Sequence, residues 1–424
     1  MTFRDFKKTG HWPTLLASFL YFDFSFMTWV TLGPLIMYIS RDLAIPVGEK
    51  FNLVAIPILA GAILRVPMGI LCDHVGAKRT GMTAQLIVMA GVAYAALIGL
   101  SGVDQVKLLG VILGLAGASF AVALPQASRW YPPQYQGIVM GIAGAGNIGT
   151  ALDALIIPSL AERYGWHLAL GTLLIPLIPT FLFYSLASKE APGAGTRPSW
   201  AKYRAVLTDV DALWFMFFYF ITFGGFVGLA NSLPLYFNIQ YHVSGVAAGL
   251  MVAIVVSFGS FFRPVGGALA DRIGGIRTLM ALFSVVALAY AIAAFLPVGP
   301  VPPTPSGGAV AGWSFVDLPP EAVRALMVFS AGVLCLGMGN GAVFQLIPQR
   351  FKGEIGTMTG LVGCFGGIGG FFLAKTLGES KDMTDGFSLG FLFFSVLVLV
   401  GLASLAGVKK RWRTTWGAAS GAQV

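Results

Sequence analysis

Ser257-Phe-Gly-Ser-Phe-Phe-Arg263-Pro-Val-Gly-Gly-Ala-Leu-Ala-Asp271-Arg-Ile-Gly-Gly-Ile-Arg277 places an arginine deep inside an apolar run that ends in a short charged turn. A charge at bilayer depth costs at least about 2.5 kcal/mol, so a chain that keeps one there is expected to use it. The stretch has a counterpart, Gly61-Ala-Ile-Leu-Arg65-Val-Pro-Met-Gly69-Ile-Leu-Cys-Asp73-His-Val-Gly-Ala-Lys-Arg79. In both copies a glycine stands four residues before and four after the arginine, and the aspartate follows eight residues later. The two pairs share one offset of 198 residues, 65 to 263 and 73 to 271. Two arginines at matched positions of a duplicated membrane protein predict a single central anion site.

Composition agrees with a membrane protein. Of 424 residues 56% are hydrophobic and 11% charged, and mean hydropathy is +0.80. Soluble domains carry about 25% charged residues. Cys72, Cys335 and Cys364 lie in or beside apolar runs and imply no disulfide framework. A net charge of +9 could suggest nucleic acid, but the basic residues occupy short loops and the tail. Arg4, Lys7 and Lys8 precede an apolar run longer than a signal peptide's, which reads as a retained first span.

Twelve runs are long enough to cross a bilayer as helices: 14–39, 51–71, 80–100, 107–127, 137–160, 168–187, 212–238, 246–270, 278–296, 324–346, 356–377 and 386–408. The expected architecture is all-α, with a six-helix bundle over 1–187, a polar linker over 188–211, a second six-helix bundle over 212–408 and a basic tail over 409–424. With the N-terminus inside, 18 of the 27 Lys and Arg fall in cytoplasmic segments and seven outside, while Arg65 and Arg263 are embedded. That asymmetry puts both termini in the cytoplasm.

The membrane interior then holds four charges: Asp23, Arg65, Asp153 and Arg263. A second repeat joins the halves. Gly137-Ile-Val-Met-Gly141-Ile-Ala-Gly144-Ala-Gly146-Asn147-Ile-Gly149 in span 5 matches Gly356-Thr-Met-Thr-Gly360-Leu-Val-Gly363-Cys-Phe-Gly366-Gly367-Ile-Gly369 in span 11. Twelve helices in two related halves is the plan of transporters whose substrate lies near the midplane. Guanidinium is always charged and forks two hydrogen bonds to a planar oxyanion. The alternative for each arginine is a structural pair with Asp23 or Asp153. The glycine stripes allow close helix packing; they would also line a narrow cavity with bare backbone, at Gly146, Gly366 and Gly367, and Asn147 adds a group able to donate to an oxyanion. The turns Gly69–Gly76 and Gly267–Gly274 share the pattern Gly-x-x-x-Asp-x-x-Gly. Asp73, Arg79, Asp271 and Arg277 in and after them can bridge neighbouring helix ends and help hold one gate state. No metal spacing, nucleophile set or phosphate loop appears, so neither an enzyme nor a cofactor is expected.

These turns resemble the signature loop of the major facilitator superfamily. Ala143-Gly-Ala-Gly-Asn147-Ile-Gly149 and Gly363-Cys-Phe-Gly-Gly-Ile-Gly369 resemble the two nitrate-signature segments of its nitrate/nitrite porter family. Gly339-Asn-Gly-Ala-Val-Phe-Gln-Leu-Ile-Pro-Gln-Arg-Phe351 and Phe22-Asp-Phe-Ser-Phe-Met-Thr-Trp29 are similar to that family as well. The resemblance implies that Arg65 and Arg263 clamp nitrate or nitrite, that Asn147 contacts it, and that Phe120, Tyr219 and Phe223 pack around it. It implies an inner-membrane transporter acting as a monomer. Uphill import of one negative charge against about 100 mV costs about 2.3 kcal/mol. Symport with protons through Asp23 or Asp153 would meet that cost, and so would exchange for internal nitrite. A small-organic-anion carrier of the same fold and a non-transporting anion sensor are the remaining alternatives.

Overall fold

The computed structural model describes residues 9–132, 139, 142–144, 147–190, 200–302, 314–351 and 355–417. Among them, eleven helices are long and apolar enough to cross a membrane. They are span 1 (Trp12–Asp42), span 2 (Val47–Val75), span 3 (Ala77–Leu97), span 4 (Val103–Ser128), span 6 (Trp166–Ala187), span 7 (Val210–Tyr241), span 8 (Gly245–Ile273), span 9 (Gly275–Ala294), span 10 (Pro320–Arg350), span 11 (Thr357–Thr384) and span 12 (Ser388–Gly417). The remaining expected run, span 5, is described as a helix over Ile148–Tyr164; much of its earlier part lies outside the described residues. The expected polar linker contains a short helix, Trp200–Thr208.

Glycine sets the sharp turns after the two arginine helices. Gly76 and Gly274 have φ of +99° and +97°, a region that costs an L side chain strain. Each ends one helix and starts the next within a residue. The turn aspartates then reach sideways. Asp73 pairs with Arg129, the residue just after span 4, at 2.5 Å, and Asp271 accepts from Gln345 of span 10 at 2.9 Å. Both bridges join helices of the same half. Arg79 and Arg277 are exposed.

Bare backbone also brings each arginine helix against a glycine-bearing neighbour. A Cβ on Gly114 of span 4 would lie 2.8 Å from the amide of Gly61 in span 2. A Cβ on Gly341 of span 10 would meet the carbonyl of Arg263 and lie 2.7 Å from the amide of Gly267 in span 8. Small residues permit such approach, and in each half it holds the arginine backbone firmly.

The halves meet most tightly away from the face that carries the 72–79 and 271–277 turns. Toward the far face, Gly33 abuts the backbone of Asn231, Gly245 abuts Tyr38, and Gly378 abuts Phe51. Near the middle, Gly249 abuts the Ala154 carbonyl and Gly367 abuts Ala62. Toward the turn-bearing face, Gly69, Gly144 and Gly360 have open space where a Cβ would sit. No ion pair joins the halves among the described residues. Among the described residues, the close glycine contacts between the halves thus gather at the middle and the far end.

Candidate anion site

Arg65 is 1% exposed, in the middle of span 2. Span 4 is broken between Gly117 and Phe120. Ala121 bonds back to Ala118 there, so the Gly117 carbonyl has no helical partner. It accepts from Arg65 Nε at 3.2 Å. Nη1 of Arg65 donates across the molecule to the carbonyl of Gly363 in span 11. Nη2 is buried with no acceptor.

The guanidinium carbon of Arg65 lies 5.4 Å from the Trp29 ring, 5.3 Å from Phe120 and 5.2 Å from Phe223. These distances allow cation–π attraction, worth about 2 kcal/mol or more when desolvated. Trp29 fits because Gly61 and Gly117 leave room for its indole, whose N–H donates to the Pro57 carbonyl at 2.6 Å.

Arg263 begins the second helix of span 8, just after a break at Phe262. Its guanidinium carbon lies 5.6 Å from the Phe344 ring, and its Nη1 is buried without an acceptor. Phe344 meets Phe120 at 6.1 Å and Tyr219 at 5.1 Å, both edge-on. Tyr219 stacks on Phe223 at 5.0 Å. A continuous aromatic wall thus connects the two arginines. The Tyr219 hydroxyl is buried on the side of this wall that faces Arg263.

The structure brings Arg65, Arg263, Phe120, Tyr219 and Phe223 into one region. Gly366 lies against it: a Cβ there would be 2.6 Å from the Tyr219 ring and 2.9 Å from Phe223. Gly367 instead packs span 11 on Ala62 of span 2. Asn147 is 2% exposed with Oδ1 unpartnered. Its carbonyl meets the Ser260 hydroxyl of span 8 at 3.4 Å, three residues before Arg263. Gly146 lies outside the described residues. The acids do not pair with the arginines: no ion pair between them occurs among the described residues. Asp23 accepts from the Gly149 amide at 2.7 Å, and both Asp153 oxygens are buried without partners.

Phe344, Trp29 and the Gly117 and Gly363 carbonyls are absent from the sequence-based site. Phe344 and Trp29 do lie in the segments whose resemblance was noted, but an aromatic in an apolar helix gives no periodic signal of which neighbour it will face. The carbonyls depend on a helix break and on packing between halves.

Comparison with known proteins completes the description. The Major Facilitator Superfamily profile matches residues 15–374. The chain is 31% identical over 378 residues to a nitrite extrusion protein of Bacillus subtilis, covering 88% of each. It is 29% identical to a probable nitrate transporter, NarT, of Staphylococcus epidermidis, covering 91% of this chain and 93% of that one. In fold it resembles a bacterial homologue of the human lysosomal transporter Spinster, solved in an inward-facing, occupied conformation, with TM-score 0.67, 15% identity and coverage of 93% and 96%. The chain belongs to the major facilitator superfamily and, within it, to the nitrate/nitrite porter family.

Proposed function

We propose that this chain carries nitrate, and nitrite with it, across the membrane by alternating access coupled to protons. The observation that carries the reading is a pair of buried, acceptor-less guanidinium nitrogens, Arg65 Nη2 and Arg263 Nη1, joined by an aromatic wall. An unpaired buried charge costs several kcal/mol. A small planar anion supplies acceptors to both arginines through short charge-assisted bonds. The printed names of the two relatives support nitrate and nitrite as that anion.

Asn147, the Tyr219 hydroxyl and the backbone about Gly366 complete the contacts. The Gly363 carbonyl takes, at Arg65 Nη1, the place of one anion oxygen. Mutual repulsion of the arginines resists closing the turn-bearing end around them. A bound anion cancels that repulsion, so rocking of the bodies 1–187 and 212–408 about the 188–211 linker depends on loading. The turn-bearing face is cytoplasmic in this reading, the membrane is the inner membrane, the tail 409–424 lies at its surface, and the unit is a monomer.

Tracer nitrate uptake into proteoliposomes, with and without an imposed pH gradient, is the test. Uptake that follows the gradient and is lost on Arg65→Lys supports the proposal. Uptake indifferent to both arginines overturns the clamp. Exchange for nitrite is favoured by the name of the Bacillus relative; flux that ignores the pH gradient but requires internal nitrite would establish it instead.

A further inference from the structure

The sequence presents Asp23 and Asp153 as equivalent embedded acids, but their surroundings differ. Asp23 is 6% exposed and accepts from the Gly149 amide, in the first turn of the helix Ile148–Tyr164. The amide and the helix dipole offset part of the cost of burying a carboxylate there. Asp153, one turn further along the same helix, is 0% exposed and neither oxygen has a hydrogen-bond partner. Thr31, at the break in span 1, lies beside it, yet its hydroxyl is also outside hydrogen-bond geometry.

The elements packed on this helix are span 1, the start of span 6 and the first helix of span 8. Gly245–Phe261 of span 8 carries no titratable group. Span 1 carries Tyr21, Asp23, Tyr38, Arg41 and Asp42, span 6 carries His167, and Glu162, Arg163 and Tyr164 lie on the same helix as Asp153. Tyr38 donates to the Pro158 carbonyl at 3.2 Å, Arg41 lies over the Tyr38 ring, Asp42 accepts from Trp166 at 2.7 Å, and His167 stacks on Trp166. Among the described residues none of these groups pairs with Asp153. An ionised carboxylate without partners in a dry interior costs far more than a neutral one.

The position of Asp153 is as specific as its isolation. The next residue, Ala154, has its carbonyl against Gly249 of the other half, and Gly33, two residues after Thr31, has its backbone against Asn231. Asp153 therefore sits at the inner edge of the contact that closes the far end. Resting on the proton-coupled reading above, we propose that Asp153 binds the co-transported proton and that the far end closes only when Asp153 is neutral. At the opened far end a hydronium ion gives its proton to the carboxylate, forming an O–H bond and leaving water. After closure that proton passes to the Asp23 carboxylate, which lies one turn nearer the open side, and then to water in the cavity.

The full chain in proteoliposomes tests this by two independent readings. Infrared spectra at neutral pH should contain a protonated-carboxyl C=O band that Asp153→Asn removes, Asp153→Glu shifts and Asp23→Asn leaves in place. In Asp153→Asn, nitrate accumulation driven by a pH gradient should be lost relative to that variant's own nitrate counterflow. Identical carboxyl spectra for the wild type and Asp153→Asn, or undiminished pH-driven accumulation in that variant, overturns the proposal. A wild type that shows the band but moves no nitrate keeps the proton site and refutes the cargo. If Asp153→Asn fails to fold, the shift in Asp153→Glu decides the assignment.

Discussion

Arg65 of span 2 and Gly363 of span 11 are joined across the two halves, the side-chain Nη1 donating to the main-chain carbonyl oxygen. The bond ties the buried cation of one half to the backbone of the other. The arginine's second nitrogen, Nε, is held within its own half by Gly117. One guanidinium thus spans the interface and still keeps a free donor, Nη2.

Lysine at either arginine should abolish coupled uptake without unfolding the protein in membranes. An ammonium cannot reproduce the planar fork. Hydrogen bonds to charged groups are worth about 1.5–3 kcal/mol, so one lost bond weakens nitrate binding about 10- to 150-fold. Arg65→Lys should also lower thermal stability more than Arg263→Lys, since Arg65 holds two carbonyls as well. Binding isotherms and melting curves of the purified variants check both points; equal melting of the two would contradict the spanning role.

Phe344→Ala should weaken nitrate binding about ten-fold or more, from the loss of a desolvated cation–π contact worth about 2 kcal/mol and of two edge-on ring contacts. Phe372→Ala, on an exposed part of span 11, is the comparison. Competition binding with tracer nitrate separates them, and equal effects would remove Phe344 from the site.

Gly366→Ala should impair transport strongly. Its new methyl group would collide with the Tyr219 and Phe223 rings, and overpacking costs about 1–3 kcal/mol. Gly407→Ala meets open space on span 12 and should behave as the parent protein. Uptake rates normalised to folded protein, measured by size-exclusion chromatography, read the difference; a fully active Gly366→Ala would mean the rings are free to move aside.

Breaking the Asp73–Arg129 pair should leave the balance between inward- and outward-open forms unchanged, because both residues belong to one half. Arg129→Gln should cost no more than about 1 kcal/mol of stability, as partly exposed pairs do. Gly76→Ala should cost more, about 1–3 kcal/mol, from strain at its positive φ. Accessibility labelling on both faces and thermal melting test these expectations. A shift in labelling for Arg129→Gln would give the pair a gating role.

Sequence reading reached the helical architecture, the duplication, the two arginines and the Phe120, Tyr219 and Phe223 neighbourhood, the last through resemblance. It did not reach Phe344 or the bond from Arg65 to Gly363, whose partners stand 298 residues apart. Nor could it separate Asp23 from Asp153: both are single acids in apolar runs, and the Gly149 amide that partners only the first is supplied by packing.

What the chain determines by itself follows from desolvation, which acts on each residue where it stands. Apolar runs of bilayer length, basic loops and four embedded charges can be recognised without knowing any neighbour. Which carbonyl satisfies Arg65, which rings face it and which carboxyl is left alone are decided only when helices distant in sequence pack. Those outcomes depend on direction and distance between side chains, and a linear pattern holds neither.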